Sequence, residues 1–379
     1  MQHGGSEGFV DIEGFDILEE IGEGASGIVW KARQIRLQRL VALREVKPDA
    51  ADTPEHFAAV RTHLAAAAKL KHSNLTAVYD VLKVDGRIVV ATEYVEGHSL
   101  YERVRANGPM KAAEALQAAH CIAAVLNMAW EQTGLTHRNI SPRNILVLAD
   151  GVLKVSDLGM VPRHGAAPDR PGPPSATSMA APHFKAPEQA EGRRVDTPAA
   201  DIYALGATLY FLVTGKQPFE GLAPETVLRR QCTGFLPDPR RRNPALKPPV
   251  VRLISRLLIK DPAKRPHDWP SVLSDIELTQ ANRIIVRKSD AGDPTNTIDR
   301  RDPDNPPPKH HPKRRRTDHS LKNHVPVGLR VVAWALLLLF WAYLVYRQTT
   351  DPILTELSQR WLPAPTAPAE EAPPAEGAP

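Results

Sequence analysis

The hydrophobic pattern of this chain changes period once, and that change constrains its fold more than any other feature. From Phe15 to Lys47 apolar and β-branched residues alternate around a glycine-rich turn, GEGASG, and the alternation recurs at Leu40–Val46. Alternation of this kind places one face of a strand in a core. Ala77–Leu82 and Arg87–Tyr94 repeat it across Lys83-Val84-Asp85-Gly86, which predicts a hairpin. One helical segment, Pro54–Leu70, interrupts these strands, opened by Thr53-Pro54 as cap and first-turn proline. From Lys111 the period becomes that of a helix, over Lys111–Gln132, Pro198–Val213, Pro224–Cys232, Pro249–Ile259 and Pro270–Gln280. A strand-rich front and a helical back, with no βαβ alternation and no internal repeat, predict an α+β domain with two segregated lobes.

Proline marks where that domain stops. The 36 prolines crowd Val161–Pro187, Asp293–Pro312 and Leu362–Pro379, which reads as loop, linker and tail. The resulting division is an N-terminal extension (1–14), a folded domain (15–285), a disordered Pro-rich and basic linker (286–324), an apolar segment (325–347) and a Pro/Ala-rich tail (348–379).

The apolar segment predicts a single transmembrane helix. Val331–Tyr346 carries no charge, and residues 325–346 span ~33 Å at ~1.5 Å per residue, enough for a bilayer core. Arg330 can snorkel, and Trp334, Trp341, Tyr343 and Tyr346 suit the interface. A buried helix of a soluble domain is the alternative, but the flanking low-complexity stretches offer nothing to bury it. Lys309, Lys313, Arg314, Arg315, Arg316 and Lys322 precede the segment, against Arg347 and Arg360 after it. The positive-inside bias then predicts a cell-membrane protein with its domain cytoplasmic and its C-terminal tail external. The basic run KHHPKRRR reads as topology and anionic-lipid contact; nuclear import or nucleic-acid binding is the weaker alternative, and no nucleic-acid partner is expected. Met1–Asp16 is polar and glycine-rich, without the pattern of a signal peptide. Cys121 and Cys232 have no metal or redox spacing and read as reduced thiols.

Several short motifs follow one another in order. GEGASG with Ile28 and Val29 fits G-x-G-x-x-G-x-V, whose glycines let the backbone approach phosphates. Then come VALR (Val41–Arg44), TEYVEG (Thr92–Gly97), HRNISPRN (His137–Asn144), SDLG (Ser156–Gly159), APE (Ala186–Glu188), DIYALG (Asp201–Gly206) and DPAKRP (Asp261–Pro266). In this order and spacing, Phe15–Thr279 resembles a serine/threonine protein kinase domain of the bacterial single-pass transmembrane type. The resemblance implies two lobes with ATP between them. Gly22, Gly24, Gly27, Val29 and Ala42 would line the nucleotide site and Arg44 would approach its phosphates. The backbone at Glu93 and Val95 would meet adenine, with Thr92 as gatekeeper, and Asn144 and Asp157 would hold Mg²⁺. Glu188, Arg265 and Asp201 would be scaffold residues.

The chain departs from the family pattern at four positions. Arg44 stands where the family has a phosphate-binding Lys, a swap that changes both shape and bonding. His63 falls where the partner carboxylate of that Lys belongs, and no Asp or Glu lies between Glu55 and Asp80. Asn139 replaces the catalytic Asp, and an amide cannot accept a proton near neutral pH. Ser141 replaces the loop Lys that contacts the transferring phosphate. Together these point to a membrane-anchored pseudokinase able to hold ATP·Mg²⁺, acting as scaffold or allosteric partner of other protein kinases or their substrates. The alternative is an active or weakly active serine/threonine kinase, and a third reading is an anchor whose domain binds no nucleotide. Ser175, Thr177 and Ser178 lie in a long activation segment, Met160–Lys185, as phosphosites or as plain loop.

Overall fold

The structure, a computed structural model, describes residues 12–24, 27–46, 54–84, 87–160, 181–193, 197–283 and 298–299. The N-terminal lobe is a sheet of five antiparallel strands: β1 (Phe15–Gly24), β2 (Gly27–Gln34), β3 (Arg39–Val46), β4 (Val78–Val84) and β5 (Arg87–Glu93). Their order is β1-β2-β3-β5-β4, with helix α1 (Pro54–Ala67) lying between β3 and β4 in the chain and packing on β4. The alternation seen in the sequence sorts side chains to the two faces of the sheet. Val89 and Ala91 join Trp30, Ala32, Val41 and Leu43 on one side, while Ile88 and Val90 meet Val60, Leu64 and Met160 on the other. A one-residue slip of β5 would invert both sets, so two separate cores fix its register.

The second lobe begins with β6 (Gly97–Ser99), helix α2 (Leu100–Asn107) and helix α3 (Ala112–Thr133). Strands β7 (Ile145–Leu148) and β8 (Leu153–Val155) complete a small sheet in the order β6-β7-β8. Then follow α4 (Pro187–Ala190), α5 (Ala199–Thr214), α6 (Pro224–Thr233), β9 (Leu236–Pro237), α7 (Pro248–Leu257), α8 (Trp269–Gln280) and β10 (Ile298–Asp299). Every residue of α5 is buried, as an all-round apolar helix must be. Helix α3 packs against α5 and α8, and small residues on it (Ala115, Ala118, Ala119, Ala123) allow close approach. Gly134, in the left-handed conformation at φ 65°, ends α3 by donating its N–H to the Trp130 carbonyl.

Two details correct the sequence reading. Helix α2 was not foreseen, although Ser99 and Glu102 form a capping box with both reciprocal bonds present. Ile298–Asp299 falls inside the segment read as a disordered linker, yet pairs in parallel with Leu236–Pro237. Side-chain pattern does not report such pairing, because the bonds come from backbone alone. The predicted apolar segment and tail, residues 1–11, Lys47 and residues 161–180 with Ser175, Thr177 and Ser178 lie outside the described residues. Among the described residues no helix is long and apolar enough to cross a membrane.

Candidate active site

The loop between α3 and β7 is fixed by one buried carboxylate. Asp201, 1% exposed on α5, accepts the backbone N–H of His137 and of Arg138, each at 2.6 Å. Burial raises its carboxyl above the ordinary value, while His137 and the two amide bonds pull the other way. Arg138 sits at φ 63°, a left-handed conformation that costs a non-glycine residue free energy unless its surroundings impose it. The Asp201 bonds, the Gln189 side chain on the Arg138 carbonyl (2.8 Å) and Arg138 Nε on Thr136 Oγ1 (3.0 Å) impose it. His137 is fully buried with Nε2 2.7 Å from the Ser156 carbonyl, tying the loop to the segment that carries Asp157.

Asn139, midway along this loop, and Asn144, at its end, close on each other. Asn144 donates its Nδ2 to the Asn139 carbonyl at 2.8 Å, which leaves Asn144 Oδ1 to face other ligands. Ser156 donates its N–H to the Asn144 carbonyl at 2.9 Å, bringing Asp157 alongside. One amide oxygen and one carboxylate are donors of the type Mg²⁺ takes when phosphates and water complete its shell. Ser141 is buried at the start of the turn Pro142–Asn144 and carries no charge into the site.

Arg44 reaches Asp157 directly. Its Nη2 is 3.2 Å from Asp157 Oδ1, with side-chain exposures of 17% and 8%. Strand β3 aims it there, with Arg44 flanked by Val29 on β2 and Val90 on β5. The half-buried His63 lies on α1 with its backbone against Gly159, just after Asp157. A Cβ at Gly159 would press on the His63 carbonyl, and φ is 82° there, a left-handed conformation that favours glycine.

The lobes join at Glu93–Gly97. Glu93 is fixed by its N–H on the Ala77 carbonyl (2.9 Å) and by a carboxylate ion pair with Lys154 at 2.8 Å. Val95 follows outside any strand, and none of the described residues hydrogen-bonds to its backbone, so its N–H and C=O are open to a planar ligand. Ala42 and Thr92 are register partners across β3 and β5, with the Thr92 hydroxyl 3.4 Å from the Ala42 carbonyl. At Gly97 a Cβ would collide with the Val147 carbonyl oxygen, so β6 and β7 approach only because this residue is glycine. Gly22 and Gly24 end β1 and Gly27 opens β2, in the sheet that carries Val29 and Arg44; Ala25 and Ser26 between them lie outside the described residues.

The order of these parts matches one family along most of the chain: the protein kinase domain, over residues 15–275. The chain belongs to that family. Its relatives include the serine/threonine-protein kinase PrkC of Bacillus subtilis, 32% identical over 275 residues covering 72% of this chain and 42% of PrkC. PknB of Mycobacterium tuberculosis is 30% identical over 287 residues, covering 70% of this chain and 45% of PknB. The matched part of the chain thus spans less than half the length of these relatives. Among solved structures, the M. tuberculosis PknI kinase domain superposes with a TM-score of 0.57 at 25% identity, covering 72% of this chain and 98% of that one.

Within this kinase domain the described contacts bring together part of the set named from sequence. Arg44, Asp157 and Asn144 are linked to Asn139 by the contacts above, and His63 lies behind Gly159. Glu188 and Arg265 form a buried pair: two short bonds of 2.6 and 2.7 Å join guanidinium to carboxylate, and the three remaining donors meet Ala199, Ile259 and Lys260 carbonyls. The sequence reading missed Lys185. Its Nζ lies 3.4 Å from Asn139 Oδ1, and burial lowers its pKa to about 8. Lys185 sits one residue before the APE motif, 46 positions from Asn139. No periodicity of its own segment announces that contact.

Proposed function

We propose that this domain binds ATP with a divalent cation in the cleft between its lobes and transfers the γ-phosphate to protein Ser or Thr hydroxyls slowly, as a weakly active serine/threonine kinase. The observation that carries this reading is the intact bracing of the loop: Asp201 holds His137 and Arg138, and Asn144 closes on Asn139. Phosphoryl transfer depends chiefly on position and charge, and much less on the base. Arg44 and Lys185 both bring cationic side chains to the Asn139–Asp157 region, which softens the electrostatic loss implied by Arg44 and Ser141 in the sequence. Named kinases among its relatives support the same direction.

When bound, the Mg²⁺ nucleotide supplies the phosphoryl group and a cation that neutralises its oxygens. The Asn144 amide oxygen and the Asp157 carboxylate would hold the cation, Arg44 would reach the phosphates, and the open backbone of Val95 would receive adenine. The acceptor hydroxyl would be oriented by Asn139, which accepts a hydrogen bond but takes no proton. That proton must leave to phosphate or solvent, which is why slow turnover is expected.

A second reading, the pseudokinase scaffold for other kinases or their substrates, is favoured by that same amide. Membrane anchoring through the 325–347 segment, with the kinase domain cytoplasmic, the tail external and the basic linker on anionic lipid, is part of this proposal. It rests on the apolar run and the charge asymmetry around it. Full-length chain in mild detergent, given γ-labelled ATP with Mg²⁺ or Mn²⁺ and a Ser/Thr-rich acceptor, tests the reaction. Slow incorporation lost in Asp157→Ala is expected; nucleotide binding without any incorporation would replace the kinase reading by the scaffold.

A further inference from the structure

We propose that Lys185 is the terminal-phosphate contact of this site, doing from the end of the activation segment what the family's loop lysine does at the position now held by Ser141. The inference rests on the reading that the cleft binds ATP with a divalent cation. It begins from a cation without an adequate partner among the described residues. An ammonium carries three donors, yet among the described residues the Lys185 side chain makes one hydrogen bond, at the long distance of 3.4 Å, to the neutral amide of Asn139. The carboxylate that acts on it electrostatically, Asp201, already has one oxygen on each of the His137 and Arg138 amides. A half-buried charge held this way is costly unless an anion completes it. Its lowered pKa, about 8, reports that cost.

The position is built. Lys185 is flanked by the turn Pro182–Phe184 and by α4, and both are clamped to the body of the lobe. Gln231 donates to the Pro182 and His183 carbonyls (3.2 and 2.6 Å), and the Glu188–Arg265 pair anchors α4. Gln189 bonds both Ala186 N–H and the Arg138 carbonyl, fastening Lys185 to the catalytic loop from the other side. The anion is identified by what lies next to it. Asn139 is hydrogen-bonded to Asn144 through its carbonyl and to Lys185 through its side chain. A phosphate on a cation held by Asn144 and Asp157 therefore meets the Lys185 ammonium across Asn139. Arg44, on the opposite lobe, is placed for the inner phosphates, which leaves the terminal one to Lys185.

This arrangement predicts that Lys185 discriminates ATP from ADP. Dissociation constants of the full-length chain, with Mg²⁺, for a non-hydrolysable ATP analogue and for ADP provide the test. In Lys185→Met the analogue should bind about tenfold more weakly, the scale of one charge-assisted phosphate contact, with ADP within about twofold of wild type. Lys185→Arg should recover part of the loss. ADP binding with an unchanged analogue-to-ADP ratio in Lys185→Met overturns the inference and leaves the cleft reading standing. Failure of wild type to bind either nucleotide overturns both. A measurement on wild type alone avoids dependence on a variant that folds poorly. Acylation of Lys185 by an N-hydroxysuccinimide ester, followed by mass spectrometry, should be suppressed by the ATP analogue and unaffected by ADP. Equal labelling under both nucleotides contradicts the proposal.

Discussion

Replacing Asn139 by Asp restores the missing base with the smallest change to the rest of the site. The two residues are isosteric, and the loop is held by contacts that the change leaves alone: Asp201 on His137 and Arg138, and Asn144 on the Asn139 carbonyl. Asn139 Oδ1 already accepts from Lys185 at 3.4 Å, so a carboxylate there finds a cation waiting. At an effective dielectric of ~20 that pair is worth ~5 kcal/mol before desolvation, which removes most of it, so thermal stability should change little. The rate should change a great deal. A positioned general base contributes about 10²–10⁴-fold, or ~3–5 kcal/mol of barrier at ~1.4 kcal/mol per decade. Kinases commonly turn over at about 1–100 s⁻¹, which puts wild type at roughly 10⁻⁴ to 1 s⁻¹ on that scale. Single-turnover transfer of labelled γ-phosphate, with nucleotide saturation checked separately, measures the difference. If Asn139→Asp binds ATP as wild type does and transfers no faster, the loss does not lie in the base and the bracing argument fails.

Glu188→Ala should destabilise the domain by about 3–5 kcal/mol, because it strands the Arg265 guanidinium, which has no side-chain exposure. A fall in Tm of roughly 10 °C is expected, and a shift below about 2 °C would contradict it. Gly97→Ala should cost about 1–3 kcal/mol and weaken nucleotide binding, since its methyl meets the Val147 carbonyl where the lobes join. Wild-type stability in that variant would mean that β6 and β7 can separate freely. Stability should also rise with pH between about 7 and about 10. Burial lowers Lys185 to about 8 and Lys260 to about 7, whereas unfolded lysines hold their protons to about 10.5. The unfolded state thus binds more protons across that window, so unfolding becomes less favourable as pH increases. Urea midpoints at about pH 6.5, 8 and 9.5 should climb in wild type and climb less in Lys260→Met. Above about pH 10 the raised pKa values of buried Tyr203 and Tyr210 act in the opposite sense.

Periodicity made most of the fold legible. The alternation at Arg87–Tyr94 became β5 with its two faces in two cores, and the apolar run at Pro198–Val213 became the wholly buried α5. What escaped was short or built from backbone: β9 with β10, and α2, whose Ser99-x-x-Glu102 signal was present but unread. In the site, motif order located Asn144, Asp157 and Asp201 because each is tied to its neighbours in sequence. Arg44 on Asp157 and Lys185 on Asn139 join segments 113 and 46 positions apart. Their partners follow from three-dimensional approach alone. Those two contacts bring positive charge toward Asp157 and Asn139, which motif order alone did not show.

If the site takes ATP with a cation as proposed, the Arg44–Asp157 pair would make metal and nucleotide binding depend on each other. The sequence reading puts His63 where the family pattern has a helix carboxylate for the strand cation, and Arg44 pairs with Asp157. A divalent cation arriving alone must compete with a guanidinium for a carboxylate that is only 8% exposed. Bound ATP would change that competition, because its phosphates would offer Arg44 a bidentate partner and so release Asp157 to the cation. Linkage requires the benefit to be mutual: whatever factor ATP adds to metal affinity, metal adds to ATP affinity. A coupling of about 1–3 kcal/mol, 5–150-fold, is the ordinary range for such effects. Mn²⁺ without nucleotide should therefore stabilise the chain little, and Arg44→Ala should raise metal affinity in the absence of ATP while lowering it in its presence. Equal stabilisation of wild type by Mn²⁺ alone and by Mn²⁺ with ATP would show that Arg44 does not guard Asp157.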